Sequence, residues 1–159
     1  MAVNCVLAVE GITGNSSIEA GSIQIFSYSW GASNPASMGS GANDSRSGKP
    51  NCSDLSIMKA LDATSPYLFE KICKCVAIPS MSLKYFKNIN DQNTMYIEYK
   101  FTNVYVSSQQ HGGSDENPTE SVSFAYDKVE FSYYKEKATN DGVELETTKG
   151  YDMKTNVSS

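Results

Sequence analysis

No apolar run in this chain of 159 residues approaches the roughly 20 residues that a helix needs to cross a bilayer, so membrane insertion by a helix is not expected. Basic charge is also short: 13 Lys and Arg stand against 18 Asp and Glu, for a formal charge of −5. Without a dense basic run, the electrostatic footprint that holds a phosphate backbone is missing, which argues against nucleic acid as a partner. Met1 to Glu10 has no basic flank and no small-residue cleavage site, so a conventional secretory signal is not expected. The expectation is a chain made in the cytoplasm, whose export, if any, follows a route that does not read this N-terminus.

Catalytic material is equally sparse. His111 is the single histidine, in "SSQQHGGSD", and no Gly-x-Ser-x-Gly turn is present to support a nucleophile. Four cysteines, Cys5, Cys52, Cys73 and Cys75, include no Cys-x-x-Cys pair. The spacing of structural zinc sites is therefore absent, and buried free thiols are the expected state. Asp115, Glu116 and Glu120 match neither an EF-hand nor a glycine-aspartate calcium repeat and read as a solvated acidic loop. "GSGANDSRSGK" lacks the Walker spacing and leads into a strand, where a phosphate loop leads into a helix. Asn-x-Ser sequons at Asn15, Asn43, Asn51 and Asn156 are what Asn/Ser-rich loops produce by chance. No enzyme, no cofactor and no metal are expected.

What the chain does have is alternation. Met95, Ile97, Tyr99 and Phe101 share one strand face, and Val104 and Val106 the other, so the phase flips near Thr102 and Asn103. Val122, Phe124 and Tyr126 alternate likewise, and Val129, Phe131 and Tyr133 resume out of phase. Each flip implies a β-bulge or a strand that changes sheets, and two long bent strands are what a rolled sheet needs. Further strands are expected over Ala2 to Val9, Ile18 to Trp30, Ser53 to Met58, Ile78 to Lys87 and Val143 to Met153. "TSPYLFEKICKCV" breaks the rule, with Ser65 expected as N-cap before Pro66. Leu68, Phe69, Ile72, Cys73 and Val76 recur at helical spacing, so one short amphipathic helix should cover an open side of the β structure, with Lys71 and Lys74 in solvent. Gly31 to Pro50, His111 to Pro118 and Lys137 to Gly142 are expected as loops. The fold class is mainly β: a two-sheet, barrel-like domain over residues 1–159 with one short α-helix and long extended loops.

Four stretches in order, "SYSWGAS" with the Gly/Ser loop that ends in "SGK", "DLSIMKALDATSPYLFEKIC", "FTNVYVSSQQHGGSDENPTESVSFAYDKVEFSYYKEK" and "GYDMKTN", resemble the haemolysin-coregulated protein (Hcp) family. These are the tube proteins of bacterial type VI secretion systems. The likeness departs at "GNSSIEAGSIQ", shorter and nearly uncharged here, and at "YYKEK", which replaces a common Pro-Gln pair. The resemblance implies a homohexameric ring, rings stacked into a hollow tube, a contracting sheath and a spike as partners, and effector proteins at the spike or within the lumen. It also implies secretion without a signal peptide. A fused toxin, as in some relatives, is not expected, because few residues follow "GYDMKTN".

The resemblance assigns the loop of about residues 31–50 to contacts with an adjacent subunit or ring, with Asn34, Pro35, Met38, Asp44, Arg46 and Lys49 as its contact residues. The strand before it places Phe26, Tyr28 and Trp30 on one face and Ser27 and Ser29 on the other. With the aromatic face on the core, the serines face either the channel of a ring or open solvent. Two other readings are a monomeric β-sandwich binding a ligand through Trp30 or loop tyrosines, and a phage-type tail tube protein.

Overall fold

The structure, a computed structural model, describes residues 4–34, 50–138 and 142–159. Its strands are β1 (Cys5–Val9), β2 (Ile23–Gln24), β3 (Ser27–Ser29), β4 (Ala32–Ser33), β5 (Asn51–Cys52) and β6 (Leu55–Ala60). After the helix α1 (Ser65–Lys74) follow β7 (Ile78–Ile89), β8 (Gln92–Gly112), β9 (Thr119–Glu136), β10 (Val143–Asp152) and β11 (Val157–Ser158). The expected class, mainly β with one helix, is what forms.

Two strands organise the rest. β8 and β9 pair antiparallel along almost their whole length, and the two phase flips meet: Thr102 faces Lys128 and Val104 faces Tyr126, so Asn103 lies opposite Asp127 with the register unbroken. Asn103 adopts a left-handed conformation, φ 56°, which asparagine tolerates better than most residues. Its amide donates a hydrogen bond to the Asp127 carboxylate. Both strands therefore turn together, and buried positions pass from Phe101 to Val104 on one and from Tyr126 to Val129 on the other. Of the two expected causes of a phase flip, a strand that changes neighbours is the one found here, and the register shift between β8 and β9 lies elsewhere, between Val106 and Ser108. Asn103→Val is expected to lower stability by about 1–2 kcal/mol, since a β-branched side chain is strained at this φ. Asn103→Gly should cost less, and urea midpoints compare the two.

At the same turn β9 changes neighbour on its other edge. It pairs with β6 as far as Phe124 and with β10 from Lys128 onward. Among the described residues, one nine-stranded sheet thus bends into two layers, β3-β6-β9-β8 and β11-β10-β9-β8-β7-β1-β2. The expected pair of sheets is this single folded one, joined by the two long strands and not closed into a barrel. Leu7, Met81, Leu83 and Phe101 from one layer and Leu55, Ile57, Val106, Val122 and Phe124 from the other form a common core.

The long strand expected over Ile18 to Trp30 is broken. Ile25 donates to the Cys5 carbonyl of β1, whereas Phe26 donates to the Met58 carbonyl of β6, so the chain leaves one layer for the other between them. That corner explains why Tyr28 and Trp30 pack against the core while Phe26, expected on the same face, stays 49% exposed. β7 and β8 join through Asn90 and Asp91, both left-handed, the two-residue turn that matches strand twist. The helix begins one residue earlier than expected: Thr64 is the N-cap, without a side-chain capping bond, and Cys75 ends it in a left-handed conformation. Cys73 and Cys75 are exposed, Cys52 is half-buried and only Cys5 is buried. The expectation of buried thiols fails for the two on the helix because that end of α1 faces solvent. Lys74 is in solvent and Lys71 half-buried.

Candidate functional site

The register of the first layer aligns its outward residues into rows. Ser29 pairs with Ser56, Ser56 with Ser123 and Ser123 with Ser108, so four serines cross four strands in line. The Ser56 and Ser123 hydroxyls lie 3.0 Å apart. The next row runs Ser27, Met58, Ser121 and Gln110, and Ala125 opposite Tyr105 extends the face. None of these ten side chains is charged, although the inward positions between them hold Leu55, Ile57, Val122 and Phe124. Ser27 and Ser29 are exposed there, as strand alternation required. Ser56, Ser108, Ser121 and Ser123 were not singled out from the sequence. The alternation in "LSIMKA" and "SVSFA" carries their signal, but only the register brings them together.

The second layer presents a different outward face. Lys84, Lys100, Lys128, Glu130 and Asp152 occupy its outward positions by register, with ion pairs from Lys84 to Glu19 at 3.0 Å and from Lys128 to Glu130 at 3.2 Å. One side of the molecule is therefore neutral and hydroxyl-rich, the other charged.

Beyond the serine face stands the base of the segment of about residues 31–50. β4 and β5 pair as a two-stranded ribbon, Ala32 with Cys52 and Ser33 with Asn51. Gly31 and Ser53 clamp its foot: the Ser53 hydroxyl donates to the Gly31 carbonyl and accepts from the Gly31 amide, both at 2.9 Å. The Trp30 indole donates to the Tyr126 hydroxyl, which donates to the Ser53 carbonyl at 2.7 Å. Burial pushes the Tyr126 hydroxyl up to about 12, so it remains a donor well into the alkaline range. Half-buried and engaged at its polar edge, Trp30 is a clamp for the ribbon and not a free stacking platform. Asn34 is exposed at the ribbon's end. Pro35, Met38, Asp44, Arg46 and Lys49 lie outside the described residues.

The third feature contradicts the expectation for Glu120. It sits inside β9, 1% exposed, opposite Lys59 of β6 on one side and His111 of β8 on the other. His111 and Gly112 belong to β8, so the loop begins later than expected. The fully buried Lys59 ammonium lies 2.5 Å from Glu120 Oε1 and 2.9 Å from Asp62 Oδ1, and it also donates to the Ala60 carbonyl at 3.0 Å. The Ser65 hydroxyl donates to Glu120 Oε1 at 2.6 Å, Gln109 Nε2 donates to Oε2 at 2.7 Å, and His111 Nε2 lies 3.1 Å from Oε2. Ser65 is thus occupied by buried partners, which is why it does not cap the helix. Glu120 was unreadable as a network member because its partner Lys59 is far away in sequence.

Burial works against the charged form of Glu120, but hydrogen bonds from Lys59, Ser65 and Gln109 prevail and hold its carboxyl below the ordinary range. Asp62 behaves alike: burial opposes its charge, and bonds from Thr64 and Lys59 outweigh it. Carboxyls lowered in the folded state contribute stability that is present above the unfolded value, about 4, and lost as pH falls through the lower folded values. Urea midpoints are expected to fall below about pH 4, and Glu120→Gln to flatten that decline.

Residues 6–133 match the family model described as "Type VI secretion system effector, Hcp". A structure of a type six secretion system protein superposes with a TM-score of 0.88 at 26% identity, covering 99% of this chain and 100% of that one. Hcp1 from Salmonella typhimurium gives 0.78 at 26% identity, with 100% of both chains covered. A mutant form of Hcp1 from the EAEC 042 pathovar of E. coli gives 0.75 at 22% identity over 96% of this chain and 99% of that one, a likeness of fold. Among curated protein sequences, none matches.

Proposed function

The chain belongs to the Hcp family of type VI secretion proteins, and we propose that it is a tube subunit that closes into homohexameric rings with its serine face lining the channel. Rings stack head to tail, a heterologous contact that repeats without closing. The segment anchored by the β4–β5 ribbon reaches an adjacent subunit or ring through Asn34, Pro35, Met38, Asp44, Arg46 and Lys49. Sheath and spike proteins are the partners outside and at the tip, and effector proteins are the cargo within. The tube assembles in the bacterial cytoplasm and leaves by the type VI route. Hcp proteins are structural secretion proteins, and the buried charge network, with its side chains mutually bonded, serves the fold and not catalysis.

One observation carries the channel assignment: the outward face of the first layer is uncharged across four strands, whereas that of the second is charged. A lining repeated around a ring multiplies any charge by the number of subunits. A neutral, hydroxyl-bearing wall neither repels cargo of one sign nor traps cargo of the other.

The test has two arms. Light scattering on the purified chain, with negative-stain images of the same peak, should give six times the chain mass and an open-centred ring. In a Cys52→Ser, Cys73→Ser, Cys75→Ser background, Ser29→Cys within assembled tubes should react with a small maleimide and be shielded from one carried on a large polymer. Equal reaction with both would place the serine face outside the channel, and a monomer at every concentration would overturn the ring.

A further inference from the structure

Helix α1 is joined to the sheet in an uneven way. Of its ten residues only Ser65 and Leu68 are buried, and Ile72 packs partly against the core. Tyr67 and Phe69 are 56% and 58% exposed, although helical spacing placed Phe69 on the apolar face. A helix this short is marginal in water by itself, and one buried leucine with one half-buried isoleucine is a thin apolar footing. The polar footing is dense and confined to the N-terminal end. The Ser65 hydroxyl bonds Glu120 and accepts from Lys59 at 3.2 Å and from the Asp62 amide at 3.1 Å. The Ser65 carbonyl accepts from Gln109 at 3.2 Å, and Asp62 Oδ1 accepts from the Thr64 amide at 2.9 Å.

We propose that α1 is a latched cover: held by the Glu120 network at one end and by little apolar contact elsewhere, it opens as a unit while the sheet beneath stays folded. Three elements meet at the latch. β6 supplies Lys59, β9 supplies Glu120, and β8 supplies Gln109 and His111. Lifting α1 admits water to these groups, and water replaces the bonds that Ser65 gives up, so the opening costs only the difference between the two sets of partners. Opening β8 from β9 has no such substitute, because it uncovers Phe101, Phe124 and the core around them. Elements with few buried apolar contacts open below the global limit, and α1 fits that description at its solvent-facing C-terminal half. At the exit the amides of Cys75 and Val76 donate to the Ile72 and Lys71 carbonyls; only such local bonds hold that end, so a helix this short unravels once lifted and exposes its amides to exchange.

Native-state hydrogen exchange on the full chain at neutral pH tests this without any variant. Amides of residues 68–75 are expected to exchange about tenfold or more faster than those flanking Phe101 in β8, through openings that respond weakly to low denaturant. Glu120→Gln, which removes the charge and keeps the shape, should speed α1 by about a further tenfold and move the β8 amides much less. A single rate and a single denaturant slope for α1 and β8 in the unmodified chain would overturn the proposal. So would acceleration of α1 by Leu68→Ala with none by Glu120→Gln, since that would assign the footing to apolar packing.

Discussion

Phe101→Ala is expected to remove about 3–5 kcal/mol of unfolding free energy, the range for truncating a buried aromatic side chain. Phe101 is fully buried and lies two positions before the turn at Asn103, where both layers meet. Its ring centroid is 4.7 Å from that of Tyr126 in a tilted arrangement and 6.5 Å from that of Tyr99, while Tyr99 stacks on Phe131 at 4.7 Å. Its cross-strand partners Met81 and Val129 are buried too, so Met81 can fill the space left only in part and at the expense of its own packing. Equilibrium denaturation should show a lower midpoint with an unchanged slope. A loss below about 1 kcal/mol would mean that the layers repack across the gap, contrary to a core built on this ring.

Lys59→Met follows, with about 3 kcal/mol lost at neutral pH, the lower end of the range for stranding one partner of a buried ion pair. The lower end is expected because α1 can lift and admit water to the unpaired Glu120. Lys59→Met with Glu120→Leu should recover most of the loss, since a buried pair replaced by apolar groups of similar size is often neutral or stabilising. The difference between Lys59→Met and the unmodified chain should also shrink as pH falls below about 4, and vanish only once Glu120 and Asp62 are protonated in the unmodified chain too, below their lowered folded values. Equal instability of the single and double variants at neutral pH would show that Lys59 and Glu120 are not coupled.

The sequence carried more of the fold than of the site. Alternation around Phe101 and Phe124 revealed both long strands and the place where each reverses, because one-sided burial imposes a period of two on any strand that forms. It did not reveal that the two reversals face each other, since that depends on register. The break at Ile25 and Phe26 is a tertiary event, a change of hydrogen-bond partner from β1 to β6, and the local sequence "SIQIFSYSW" is good strand material throughout. Ser27 and Ser29 were legible as a polar face within one strand. The wall of serines to which they belong is assembled from four strands. Glu120 follows a turn-rich stretch and looked solvated, and only its cross-strand neighbours Lys59 and His111 make it a buried anion.

The shared turn at Asn103 and Asp127 has a mechanical meaning. Two sheets held together by side-chain packing alone can creep past one another under shear, because each contact is weak and replaceable. Here the same two strands run through both layers, so a push on the neutral layer reaches the charged one along covalent backbone. The corner is braced twice, by the Asn103 side chain on Asp127 and by the Met153 amide on the Asp127 carbonyl at 2.8 Å. Any lengthwise load on the subunit is therefore borne along the chain itself.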